Sequence, residues 1–85
     1  MSTSAKREEP TALADRVFFV AEKKLGVVLT DGREVCAPLS WFPRLAKATP
    51  KQRGNWRLIG GGVGIHWPDL DEDVSIASLL GLQTD

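Results

Sequence analysis

His66 and Cys36 carry the most reactive side chains of this sequence, and each residue type occurs once. A thiolate activated by an adjacent imidazole is a nucleophile, but it needs a third group to orient the ring. Nothing in the spacing of positions 36 and 66 supplies one, and a cysteine inside a strand is ordinarily a small packing residue. One His and one Cys also fall short of a zinc cage. His66 lies between Ile65 and Trp67. Strand alternation sets it on the face opposite both, exposed or bonded to a nearby acid such as Asp69. The run Asp69-Leu70-Asp71-Glu72-Asp73 begins like a calcium loop. It fails at the sixth position, Val74 rather than Gly, and at the twelfth, Leu80 rather than an acid. Gly60-Gly61-Gly62-Val63-Gly64 resembles a phosphate cradle, but the Lys-Ser/Thr pair is missing and a strand follows. It reads as a tight turn or a close backbone approach. No catalytic residue, metal or cofactor is expected.

Charge is the stronger signal. Eleven basic and eleven acidic residues cancel to a formal charge of zero. They are sorted along the chain, however. Arg44, Lys47, Lys51, Arg53 and Arg57 fall in residues 41–57, which hold no acid. Asp69, Asp71, Glu72, Asp73 and Asp85 fall in residues 58–85, which hold no base. Such sorting either gives solvated faces that screen each other or steers a charged partner. Trp41, Trp56 and Trp67 have no regular spacing that would make a base-stacking stripe, so they read as core or core edge. An exposed Trp beside an Arg would instead be an interaction anchor.

The elements that position these residues follow from alternation and turn chemistry. Arg16–Glu22, Leu25–Thr30 and Arg33–Pro38 read as three strands of an antiparallel meander. Lys23-Lys24 is the first turn and Asp31-Gly32 the second, a strong hairpin signal because both Asp31 and Gly32 can take φ > 0. Ser40 is placed as the cap of a helix carrying Pro43 in its first turn, with Trp41, Leu45 and Ala48 on one face. Thr49-Pro50-Lys51-Gln52 is a capping box opening a second helix that Gly54-Asn55 ends. Trp56–Ile59 leads into the glycine turn, and Val63–Trp67 is a fourth strand stopped by Pro68. Asp69–Asp73 is an acidic loop, and Ser75 caps a last helix over Ile76–Leu80, with Gly81 at its end. A short helical turn is placed at Thr11–Asp15. The fold class is α+β: a small antiparallel sheet, meander plus a fourth strand, with two or three short helices.

Eighty-five residues allow one small domain. Residues 1–12 are expected as a disordered tail and 13–85 as the domain. The start MSTSAKREEP has no apolar h-region after it, and no apolar run approaches the roughly 20 residues of a membrane span. A cytoplasmic location is expected.

Three ordered blocks carry a family resemblance: Pro38-Leu39-Ser40-Trp41-Phe42-Pro43-Arg44-Leu45, then Ala48 through Trp56 with Thr-Pro-Lys-Gln-Arg, then Gly62 through Asp73 with Gly-Ile-His-Trp-Pro-Asp-Leu-Asp-Glu-Asp. Over about residues 14–82 the chain resembles the short form of the domain-of-unknown-function 2442 family. The resemblance implies a small bacterial or phage α+β domain with an antiparallel sheet and no established activity. Members are often encoded beside short uncharacterised proteins in pairs that look like toxin–antitoxin modules, which implies a protein-binding role. Some longer relatives carry a DNA-binding helix-turn-helix after this domain. These 85 residues stop short of it, which sets operator binding behind protein binding.

The expectation is therefore a non-enzymatic protein-interaction module, antitoxin-like or inhibiting a defence complex. Its partner would be a toxin-like protein or a defence-complex subunit, and the module a monomer or homodimer. The contact residues would come from the basic segment (Trp41, Arg44, Lys47, Lys51, Arg53, Arg57) and the acidic region (His66, Trp67, Asp69, Asp71, Glu72, Asp73). The alternative is nucleic-acid binding through the basic helices.

Overall fold

The computed structural model describes residues 12–83. The tail expected at 1–12 lies outside the described residues up to position 11. The first sheet is a meander of β1 (Ala14–Val20), β2 (Lys24–Leu29) and β3 (Glu34–Pro38), in that order and antiparallel throughout. Ala14 and Asp15, placed in a helical turn from sequence, belong to β1, whose pairing slips by one residue between Ala14 and Arg16.

Alternation decides the faces of this sheet. Val17, Val27 and Val35 share one row, and Phe19, Leu25 and Ala37 the next. Leu25, Val27, Val35 and Ala37 are buried. The opposite face carries the rows Arg16–Val28–Glu34, Phe18–Gly26–Cys36 and Val20–Lys24–Pro38.

Both hairpin loops differ from the expectation. The first spans Ala21–Lys23, one to two residues earlier than Lys23-Lys24, with Ala21 at φ 47° and Glu22 at φ 56°. The Lys23 N–H donates to the Val20 carbonyl at 2.8 Å and closes it. Two successive positive φ values give the twist a short hairpin needs, here without a glycine to adopt them. In the second loop only Gly32 has positive φ, +96°. Its N–H donates to the Leu29 carbonyl at 3.0 Å, and Leu29 N–H reaches Arg33 O at 2.8 Å, so three residues form the loop.

After β3 a single 3-10 turn, Leu39–Trp41, precedes α1 (Pro43–Ala46) and α2 (Pro50–Gly54). Ser40 is not a cap. Phe42 takes that position with φ −128° and ψ 80° and no side-chain bond. The cause is Pro43, whose ring excludes the preceding residue from helical geometry. Trp41 is thereby cut off from the Leu45–Ala48 face, and Phe42 is buried in its place. The capping box at Thr49 forms as read: Gln52 N–H donates to Thr49 Oγ1 at 3.1 Å and Thr49 N–H to Gln52 Oε1 at 3.0 Å.

A second antiparallel sheet replaces the expected fourth strand. Its order is β4 (Arg57–Ile59), β5 (Gly64–Trp67), β6 (Glu72–Ser75). The segment Arg57–Ile59 is a strand rather than a lead-in, and the end of the acidic run is a strand rather than a loop. Between β4 and β5, Gly60, Gly61 and Gly62 all have positive φ. A Cβ on Gly62 would stand 2.7 Å from the Ala14 carbonyl oxygen, and Ala14 N–H donates to Gly62 O at 2.8 Å. The glycine run is thus both a turn and the point where the turn lies against β1. Last comes α3 (Ile76–Gln83), which runs through Gly81 instead of ending there. Ser75 Oγ accepts from Ser78 N–H at 3.0 Å, the cap that was expected.

One core joins the two sheets and the helices. It includes Leu25, Val27 and Leu29 of β2, Leu45 of α1, Ile65 and Trp67 of β5, and Ile76 and Leu79 of α3. No described helix is long and apolar enough to cross a membrane.

Candidate functional site

The basic segment does not present five equivalent charges. Arg53 is only 6% exposed. Its Nε donates to the Leu45 carbonyl at 2.9 Å and one Nη to the Ala46 carbonyl at 3.1 Å. The fork therefore bonds two carbonyls at the end of α1, that of Leu45 also accepting from the Ala48 N–H at 3.1 Å. Its other Nη lies 3.9 Å from Glu22 Oε1, and the guanidinium stands 5.9 Å from the centroid of the Phe19 ring. Arg53 is a structural residue, removed from the surface on which it was expected. Lys47 and Lys51 are exposed.

Arg44 turns toward the acidic region. Its guanidinium donates to the Asp71 carbonyl at 2.5 Å and lies 3.9 Å from Glu72 Oε1. The turn it braces holds Asp71 at φ 53°. Asn55 donates to Asp69 Oδ2 at 3.1 Å, a second tie between the two segments. The charges separated in sequence meet along this seam. Glu72 and Asp73 stand on β6 and point to opposite faces of it, and no group of three or more metal-type ligands forms among the described residues.

Trp67 is fully buried, with its indole N–H donating to the Arg53 carbonyl at 3.0 Å. It is a core anchor that no partner can touch. Trp56 packs at the core edge. Trp41 is the exception, 47% exposed at the end of the 3-10 turn, between buried Leu39 and Phe42.

On the outer face of the second sheet, register sets Arg57, His66 and Asp73 in one row. His66 Nδ1 is hydrogen-bonded to Asp73 Oδ1, so the acid partner is Asp73 and not Asp69. The reason is the β5–β6 pairing, which sets Asp73 directly opposite while Asp69 is engaged by Asn55. A carboxylate on Nδ1 fixes the orientation of the ring. Cys36 belongs to the other sheet, beside Gly26. Sequence reasoning gave no role to Arg16, Phe18, Gly26 and Glu34; Arg16 and Phe18 stand two residues apart on β1, and strand register brings Gly26 and Glu34 into the same outward rows.

Two solved structures share this architecture. A crystal structure of a protein of unknown function from Rhodospirillum rubrum superposes with a TM-score of 0.73 at 25% identity, covering 85% of this chain and 88% of that one. A solution NMR structure of an uncharacterized protein from Chromobacterium violaceum gives 0.71 at 25% identity, covering 92% of this chain and 71% of that one. No curated protein matches the chain. The family model described as "Protein of unknown function (DUF2442)" matches residues 14–84, and the chain belongs to that family.

Proposed function

We propose that this chain is a non-enzymatic protein-interaction module of bacterial or phage origin that binds and regulates or inhibits a partner protein, as an antitoxin or a defence inhibitor does. The observation that carries this reading is Trp41. Nearly half of its surface is left in water although the core has room for the neighbouring Leu39 and Phe42. Those two buried residues fix the turn, so the indole is presented by a rigid support and loses little freedom on docking. Trp and Arg dominate binding hot spots. Arg44 is ordered by the Asp71 carbonyl yet keeps a side chain 58% exposed. Lys47 and Lys51 extend a basic margin that suits an acidic partner surface.

Nucleic-acid binding has less support. Arg53 is buried and Arg44 lies against the acidic turn, which leaves Lys47 at the end of α1, Lys51 on α2 and Arg57 on β4. The deciding experiment is recovery of the tagged chain from a bacterium that produces it, beside a Trp41→Ala/Lys47→Glu variant of equal melting temperature. A stoichiometric protein partner held by the wild type and lost by the variant supports the reading. Identical partner profiles reject it. A DNA or RNA shift with steep salt dependence would favour the alternative.

A further inference from the structure

Among the described residues nothing packs over the outer face of the first sheet, and its middle is apolar. Phe18 lies flat across Gly26: a Cβ built on that glycine would stand 2.2 Å from the ring. Glycine at this position lets the aromatic ring cover bare backbone and flattens the face. Beside it, Arg16, Phe18, Val28 and Glu34 line a shallow groove of about 270 Å³. Arg16 and Glu34 stand in the same row, on the two outer strands, with Val28 between them on the central one. The row is positive at one edge and negative at the other. Among the described residues Arg16 is held by one exposed contact, with Asp15 at 4.0 Å, which costs little to give up.

We propose that this face binds a second copy of the chain. Turn one sheet by half a revolution about an axis parallel to β2 and lay it on the other. Then β1 of each copy overlies β3 of its mate, with β2 over β2. Arg16 of each copy stands opposite Glu34 of the other, twice per dimer, and Phe18 stands over the Gly26–Cys36 side of the opposing face. A twofold interface requires a patch complementary to itself, and a row with opposite charges at its two ends meets that requirement. Lys24 would face its own copy, but it occupies the last row, beside the Ala21–Lys23 loop, where its ammonium reaches water. Three strands spaced about 4.8 Å apart make a small face, so the dimer belongs with transient complexes that bury under about 1,200 Å².

Sedimentation equilibrium of the full chain, from about 10 µM to about 1 mM, tests this, since transient contacts have dissociation constants in that range. The wild-type mass is expected to rise from 9.3 kDa toward twice that value. Arg16→Glu makes both ends of the row acidic and Glu34→Arg makes both basic, so each variant alone should dimerise at least about tenfold more weakly. Mixed in equal amounts, the two variants should associate with each other, and the Arg16→Glu/Glu34→Arg double variant should regain self-association. Circular dichroism confirms that each variant is folded. A wild type that stays monomeric throughout, leaving the face to another occupant, overturns the proposal. So does a dimer indifferent to either reversal, or a failure of both mixing and double reversal to restore association.

Discussion

The indole N–H of Trp67 donates to the backbone carbonyl of Arg53, while the Arg53 side chain donates to the carbonyls of Leu45 and Ala46. One residue thereby links β5, α2 and the end of α1. The basic segment is held to the core by one of the five residues expected as its surface charges.

Replacing Arg53 with Met should cost about 2–3 kcal/mol, because two carbonyls lose charged donors in a buried setting. Arg53→Lys should recover little, since an ammonium cannot reproduce the planar fork. Urea unfolding measures both. A loss under about 0.5 kcal/mol for Met, the range of an ordinary surface change, would return Arg53 to the class of exposed charges.

Gly26→Ala should destabilise by about 1–3 kcal/mol, because the new methyl collides with the Phe18 ring. The same change in a Phe18→Ala background should cost much less. The difference between the two backgrounds is the coupling energy of the pair. Additive losses would mean that the ring does not rest on the glycine.

Ala21 sits at φ 47° without the freedom of glycine. Asn tolerates this conformation and favours the first position of such turns. Ala21→Asn should therefore gain up to about 1 kcal/mol and raise the melting temperature by about 4–8 °C. An unchanged or lower melting temperature would show that the loop carries no strain worth relieving.

The Arg33 backbone N–H, donating to Asp31 at 3.0 Å, holds that carboxyl below its ordinary value, and the Arg33 side chain at 2.8 Å acts in the same sense. A lowered folded-state value means the contact favours folding above the unfolded aspartate range, and that this contribution disappears as pH falls through the folded value. Carbon-detected NMR titration should place the Asp31 midpoint below that of Asp31 in an Arg33→Ala variant. Loss of the guanidinium alone should recover only part of the shift, because the backbone N–H remains.

Much of the fold is legible in the sequence where the signal is local. Alternation gives the three strands of the first sheet and their faces, and Thr-Pro-Lys-Gln gives the capping box. The second sheet is not legible in the same way. Arg57–Ile59 is only three residues long, and Glu72-Asp73 has poor strand propensity, so both are strands by virtue of pairing with β5. Turn positions slipped because Ala21 and Glu22 have none of the turn chemistry that marks Asp31-Gly32. At the candidate site, Arg44 stayed on the surface as its charge suggests, and Trp67 is core, as the reading of the tryptophans as core or core edge has it, which removes it from the contact residues. Trp41, read the same way, is 47% exposed because Pro43 breaks the helix that would have turned it inward, and Arg53 is buried through contacts with carbonyls seven and eight residues away. The partner of His66 was misassigned for a related reason: sequence proximity favoured Asp69, while strand register selects Asp73.

Both sheets pair each strand only with its immediate predecessor or successor. Such a chain closes short loops on its way to the native state, and the entropy to be overcome at each closure is small. Folding should therefore be fast for a protein rich in strand pairing, nearer milliseconds than seconds. A molecule made this way recovers its shape quickly after thermal or mechanical disruption, without needing a distant segment to return first.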